Sequence, residues 1–298
     1  MWLLFSILSP LLWAVANPLD AGLRRNFFKN DFVLTWLSAL AKLPLAIALL
    51  IPFIGDISLN WEFFEMFLIG MFWTIPFVFY YKSMEFEEAS RIILIMQFLP
   101  VFVLIIANLF IGETLTMHQF LAFLLILSAG ILASFRKIEG KWSFSKAFWF
   151  MVTAVLLWAT ADVLFKYAEE GFEAFWPAFG VYTLGSSLPP LFLLLIPKYK
   201  KMINSHLKNV SLKGWSLLAV SVLAGTAGSF SFSYALTLGK ASLTAVLVGI
   251  QPLLVFIFSF IFSRIFKEIP AESAKTTDLI LKLVSIVLAV AGLIYLNY

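Results

Sequence analysis

The chain has 298 residues, of which 62% are hydrophobic and 13% charged, and its formal net charge is +4. A soluble domain carries roughly 45–50% apolar and about 25% charged residues, so this composition excludes an ordinary soluble enzyme and calls for a bilayer as solvent. The basic balance does not point to nucleic acid, because the bases sit in short loops between apolar runs, where they suit anionic headgroups and control of topology; the lack of cysteine excludes disulfides, thiolate metal sites and a Cys nucleophile.

A membrane-spanning helix needs about 20 mostly apolar residues. Ten such runs are predicted, at 2–19, 33–54, 63–81, 89–110, 118–135, 147–167, 174–197, 214–237, 241–263 and 279–297. None alternates with period two, so a β-barrel is excluded. The first run has no basic segment before it and no small-residue cleavage pattern after it, and is expected to be retained as a span. The connections are short and carry turn residues such as Gly112-Glu113 and Gly239-Lys240; the longest covers 198–213.

Strongly polar residues inside such runs are costly and are therefore candidates for function. The first run carries Trp13 and Asn17, four residues apart and so on one helix face. Lys42 stands in the middle of the second run, as a fixed cation for an anionic group, the partner of an acid, or a lysine snorkelling to the interface. Tyr81 ends the third run, and Gln97 and Pro100 lie in the fourth. Glu113, after the fourth run, is expected to make a helix-end contact. The sixth run repeats the first with Trp158 and Asp162, and Lys166 at i+4 offers Asp162 a local ion pair. Tyr182 falls in the seventh. The eighth holds the small-residue stretch from Ala224 to Ser229, expected to pack against a neighbour, and then Tyr234. Gln251 and Pro252 lie in the ninth. Mid-span prolines bend a helix and free a carbonyl, so Pro100 and Pro252 are expected hinges. Trp13, Asn17, Lys42, Tyr81, Gln97, Trp158, Asp162, Tyr182, Tyr234 and Gln251 are the candidates for binding substrate.

These positions follow an internal repeat. The stretch Leu11-Leu12-Trp13-Ala14 returns as Leu156-Leu157-Trp158-Ala159, and the same offset carries Pro44 onto Pro189. A second offset carries Ala89-Ser90 onto Ala241-Ser242 and Pro100 onto Pro252. The expected organisation is therefore two five-helix repeats, 1–137 and 138–298. Five is odd, so the second inserts inverted, with the site between the halves. Eighteen of the 21 Lys and Arg residues fall in the loops after the odd-numbered runs. The positive-inside rule places those loops in the cytoplasm and both termini outside, with the cytoplasmic (inner) membrane as the expected location.

Nucleotide-binding and metalloprotease motifs are absent, and His118 and His206 lie at or beyond span ends, away from any cluster of metal ligands. No cofactor, metal or enzymatic activity is expected. The triplet Asn209-Val210-Ser211 matches a glycosylation acceptor, a pattern short enough to arise by chance.

Ten runs as five plus five, with Trp13 and Trp158 in the first run of each half and the segment from Ala89-Ser90 through Pro100 to Gly112-Glu113-Thr114, resemble the drug/metabolite transporter superfamily, EamA-like branch. Lys42 falls where members of that family often carry a basic residue, usually Arg. The resemblance implies an all-α secondary transporter, an exporter or exchanger of an amino acid, other small metabolite or drug-like solute, working by alternating access without ATP. It further implies protons as a candidate coupling ion, a monomer or homodimer, and a cavity between the first, third and fourth runs and the sixth, eighth and ninth. Two features depart from the family pattern: Arg264-Ile265-Phe266 replaces Gly-Glu-Thr in the second half, and the charge count puts the termini outside. A flippase for a lipid-linked substrate is the alternative, expected to show a lateral opening lined by bases. A receptor or scaffold would need a soluble module for signalling.

Overall fold

A computed structural model of the chain describes residues 1–55, 59–87, 89–134, 137–138, 141–142, 145–208, 210–269 and 276–296. Asn209, the acceptor of the glycosylation pattern, lies outside them. The helices are α1 (Trp2–Phe27), α2 (Asp31–Phe53), α3 (Trp61–Ser83), α4 (89–111), α5 (Met117–Ser134), α6 (Lys146–Glu169), α7 (Phe175–Leu195), α8 (Pro197–Leu207), α9 (Leu212–Leu238), α10 (Ala241–Ile265) and α11 (Thr276–Leu296). Seven of them (α1, α2, α3, α6, α7, α9 and α10) are long and apolar enough to cross a membrane. The other three predicted runs contain shorter apolar stretches, Met96–Ile111, Met117–Ala129 and Leu283–Gly292. Among the described residues the strand pairing is one two-residue ladder, Lys137–Ile138 against Lys141–Trp142.

Two predicted boundaries need correction. The loop expected over 198–213 contains α8, which Pro197 starts in the first-turn position that proline tolerates. It is held by Ile203, fully buried, and by Tyr199 stacked on Phe32 at 5.2 Å. Helix α1 runs beyond residue 19 to Phe27 and so brings Asp20 and Arg24 inside the fold. Side-chain caps fix other starts. Asn30 accepts from Val33 N at 3.0 Å, Asn60 from Phe63 N at 3.1 Å and Ser211 from Gly214 N at 3.3 Å.

The four repeated prolines each mark a break. Pro44 and Pro189 follow interruptions in α2 at Ala41–Lys42 and in α7 at Leu188. Pro100 and Pro252 follow the 3₁₀ turns Met96–Phe98 and Val248–Ile250. Proline cannot donate to the carbonyl four residues back, and its ring clashes there, so the ladder is interrupted on its N-terminal side. Each break faces its counterpart: Lys42 Nζ donates to Ser186 Oγ at 3.0 Å, and Gln97 Nε2 to Gly249 O at 3.2 Å.

Around these breaks α1 packs on α9 and α10, α3 on α6 and α7, α2 on α7, the second half of α4 on α6, and α5 on α11. The small-residue stretch in α9 behaves as packing. A Cβ on Gly228 would lie 2.6 Å from the Trp13 ring, and Trp13 Nε1 donates to Gly225 O at 3.1 Å. The outer faces are apolar, with Leu109 74% and Leu223 67% exposed, which suits contact with lipid.

Both ends are tied by ionic contacts. At the end with the basic loops, Arg24 pairs with Asp31 and, at 3.4 Å, with Glu85, while Lys82 reaches Glu85 at 2.5 Å. The Lys82 hydrogen bond holds the exposed Glu85 carboxyl below its usual range. At the other end Gly112, at φ +64°, closes α4 in the left-handed conformation that glycine adopts without strain. It turns Glu113 onto the start of α10. There Glu113 accepts from Ala241 N at 2.9 Å, from Ser242 N at 3.0 Å and from the Ser242 hydroxyl. Lys166 stands 3.6 Å from Glu113 and donates to Gly239 O at 2.5 Å. A carboxylate on a helix N-terminus is favoured by both the free N–H groups and the helix dipole. Glu113→Ala is expected to cost about 1–3 kcal/mol, read as a lower melting temperature of the purified protein, with Glu113→Gln losing less.

Candidate substrate site

Between the halves lies a cavity of about 1100 Å³, counting the space at its mouth. It is built from α1, α2, α3, α4, α6, α7, α9 and α10. Helices α2 and α7, absent from the wall expected of the first, third, fourth, sixth, eighth and ninth runs, both contribute through the segments flanking their breaks.

Helical spacing accounts for most of the lining. Trp13, Asn17 and Asp20 follow one another at i, i+4 and i+7 on α1, as Trp73, Phe77 and Tyr80 do on α3, while Thr35, Ser38 and Lys42 stand at i, i+3 and i+7 on α2. On α9 the face carrying Ser221, Gly225, Thr226, Ser229 and Ser233 turns inward. These hydroxyls are inexpensive to bury because many bond to their own helix: Thr226 Oγ1 donates to Val222 O at 2.6 Å and Ser229 Oγ to Gly225 O at 3.0 Å.

Charged and aromatic side chains line the cavity together. Lys42 is buried, with its Nζ bonded to Ser186 and 4.7 Å above the Trp73 ring. No described carboxylate pairs with it. Asp162 is also buried, and among the described residues its carboxylate makes no hydrogen bond or ion pair. The expected local pair with Lys166 does not form, because Lys166 is turned to Glu113 and Gly239. Trp158 stands edge-on to Phe77 at 5.1 Å and beside Tyr80 at 5.7 Å, and Tyr182 lies 5.9 Å from Trp73. Trp13 packs on Phe232 at 5.3 Å. Buried unpaired charges are costly in so apolar a surrounding, so two of them lining one cavity are where an amphipathic solute would gain most.

Eight of the ten expected binding residues line this one space: Trp13, Asn17, Lys42, Tyr81, Trp158, Asp162, Tyr182 and Gln251. Two do not. Gln97 spends its amide on Gly249 O, where α4 and α10 cross, and Met96 beside it lines the cavity instead. Tyr234 lies in an aromatic cluster with Phe5 at 4.8 Å and Phe175 at 4.9 Å. Residues that sequence reasoning passed over include Asp20, Trp73, Tyr80 and Ser186. Asp20 shows the same i, i+4, i+7 spacing from Trp13 that singled out Asn17, and that spacing could have found it.

The profile of the EamA-like transporter family matches residues 1–135 and 145–271. The chain belongs to that family. It is a multi-pass integral membrane protein and a membrane transporter of the drug/metabolite type, with a small-molecule substrate and a lipid bilayer as its partners. No curated protein matches it in sequence. In fold it is similar to a solved crystal structure at 14% identity, with a TM-score of 0.67 over 97% of this chain and 95% of the other.

Proposed function

We propose that this protein is a ten-span secondary carrier, an exporter or exchanger, that moves a small amphipathic metabolite, amino acid or drug-like solute by alternating access without ATP. The observation that carries the proposal is that Lys42, Asp162 and the repeated Trp13 and Trp158 share one cavity. The solute's flat or apolar part would lie among the Trp rings and its charged or polar ends would meet Lys42 and Asp162.

Residues 1–137 and 138–298 act as inverted repeats in this reading. Exchange of α1 with α6, α2 with α7, α3 with α9, α4 with α10 and α5 with α11 turns the α1–α9 contact into α6–α3, and α4–α6 into α10–α1. That correspondence supports the repeat, as do the paired breaks. The largest contact without a mate is that of α3 on α7, whereas α9 and α2 make no comparable contact. Such asymmetry is expected of one of two alternating states, with Pro100 and Pro252 as hinges.

Purified protein in liposomes should move at least one member of an amino-acid and metabolite panel, with or without a proton gradient; no movement of any member overturns the carrier reading. The orientation has its own test. A C-terminal reporter active only in the cytoplasm should stay silent, and a bright one reverses the assignment of the basic loops to the cytoplasm. Among the described residues Lys42 is the one cation lining the cavity. That pattern gives the lipid-linked alternative no support.

A further inference from the structure

The polar groups at the α1 wall form a directed chain. Gln251 Nε2 donates to Asn17 Oδ1 at 2.8 Å, Asn17 Nδ2 donates to Tyr80 Oη at 2.7 Å, and the Tyr80 hydroxyl donates to Asp20 Oδ2 at 3.1 Å. The Ser221 hydroxyl donates to the other carboxylate oxygen, Oδ1, at 2.5 Å. The chain begins beside the break in α10, crosses α1 and α3, and ends on a buried carboxylate that is also tied to α9. Asp20 therefore terminates a run of donors and accepts from two helices at once.

We propose that Asp20 is a proton-binding site whose state of protonation is felt by α3, α9 and, through Tyr80, Asn17 and Gln251, by the break in α10. As a coupling site it rests on the carrier reading; as a proton site it does not. The chemistry is a single equilibrium in which the carboxylate takes one proton from the aqueous phase reached through the cavity and later returns it. An ionised carboxylate accepts only, whereas a carboxylic acid must also donate. Tyr80 Oη already accepts from Asn17, so the acid proton cannot be placed on Tyr80 without displacing that bond, and on Ser221 it must reverse the hydroxyl. Protonation thus either displaces the Asn17 bond to Tyr80 or reverses the hydroxyl of Ser221, while ionisation restores the observed set of donors. This is a two-state element, biased by one proton, at the contact between halves.

Few charges compete for control of the site among the described residues. The titratable groups facing Asp20 are Tyr80 and Tyr81 of α3, with Tyr81 bonded to Ser38 at 3.0 Å. The facing residues of α2, α9 and α10 (Thr35, Ser38, Ser221 and Gln251) carry no charge. Lys42 and Asp162 line the same cavity. On its own helix Arg24, four residues on, is committed to Asp31 and Glu85.

The test is infrared difference spectroscopy of the purified protein taken between mildly acidic and mildly alkaline pH, with the proton as the only ligand. The wild type should show a carboxylic C=O band that appears on acidification and shifts in deuterated buffer. Asp20→Asn, nearly isosteric, should lose that band, and Asp162→Asn should keep it. Ser221→Ala and Tyr80→Phe, which remove a donor to the carboxyl and leave Asp20 in place, should change its frequency and so report on the site even where Asp20→Asn folds poorly. Absence of the band in the wild type, its survival in Asp20→Asn, or an unchanged frequency in both donor variants would overturn the proposal. The readout involves no transport, so an inactive protein that shows the band would count against the carrier reading and leave the proton site standing.

Discussion

Lys42→Met should lower the initial rate of solute movement into liposomes at least about tenfold, with no loss of thermal stability. A hydrogen bond to a charged group is worth about 1.5–3 kcal/mol, and 1.4 kcal/mol is a factor of ten. An ammonium that meets the solute's anionic or carbonyl group thus accounts for about one to two orders of magnitude. The stability half of the prediction separates function from structure. Lys42 has no carboxylate partner among the described residues, so its removal orphans no buried charge. Its partner Ser186 keeps a bond to Thr183 O at 2.9 Å. The bond to Ser186 and the cation contacts with the Trp73 and Phe77 rings are lost, while Met retains similar bulk and favourable sulfur–aromatic packing. Replacing an unpaired buried cation by an apolar side chain also relieves the cost of its desolvation. A structural lysine would show the opposite pattern, with the melting temperature and the rate falling together.

Much of this site was legible in the sequence because the bilayer makes polar residues conspicuous. Lys42 and Asp162 stand in runs where an ion is costly, so their inward placement followed from energetics alone. The repeat extended that argument, since Trp13 and Trp158, or Pro100 and Pro252, gain weight from each other. Legibility failed where the cost was hidden. Ser186 and Thr183 line the cavity, but each hydroxyl bonds to a carbonyl one turn back and looks like ordinary helix interior. Asp20 was missed because hydropathy ended the first run at residue 19, where Asp20 and Arg24 read as a polar helix end; the ion pairs of Arg24 with Asp31 and Glu85 let α1 continue. Gln97 and Tyr234 were misplaced for the reverse reason. Hydropathy says that a polar group must avoid lipid, yet a crossing helix or an aromatic cluster satisfies that requirement as well as a cavity does. Which of these a residue meets depends on its rotation about the helix axis, and that is fixed by the packing of α4 on α10 and of α9 on α7.

Gly70→Val and Gly185→Val should each destabilise the conformation described here, and the double variant should cost less than the sum of the two. A Cβ on Gly70 would lie 2.0 Å from Tyr182 O, and one on Gly185 would lie 2.0 Å from Phe67 O. Backbone meets backbone at both points, so no side-chain rotation can relieve the clash and α3 and α7 must separate. Overpacking of a close contact costs about 1–3 kcal/mol and occasionally more. One separation relieves both clashes, so the two substitutions share a single structural response and are non-additive. The separation also bears on transport. The α3–α7 contact is the largest without a repeat mate, and it lies on the half of α3 nearer Trp61, away from the basic loops. Its loss should favour the alternate state and open the cavity toward that side. The chain contains no cysteine, so Thr183→Cys on the cavity wall provides a single reporter thiol. An impermeant thiol reagent applied from the side of the Trp61 loop should label it faster in the glycine variants than in the Thr183→Cys parent. Equal labelling with a lowered melting temperature would make the glycine pair a packing contact, leaving the gate to other residues.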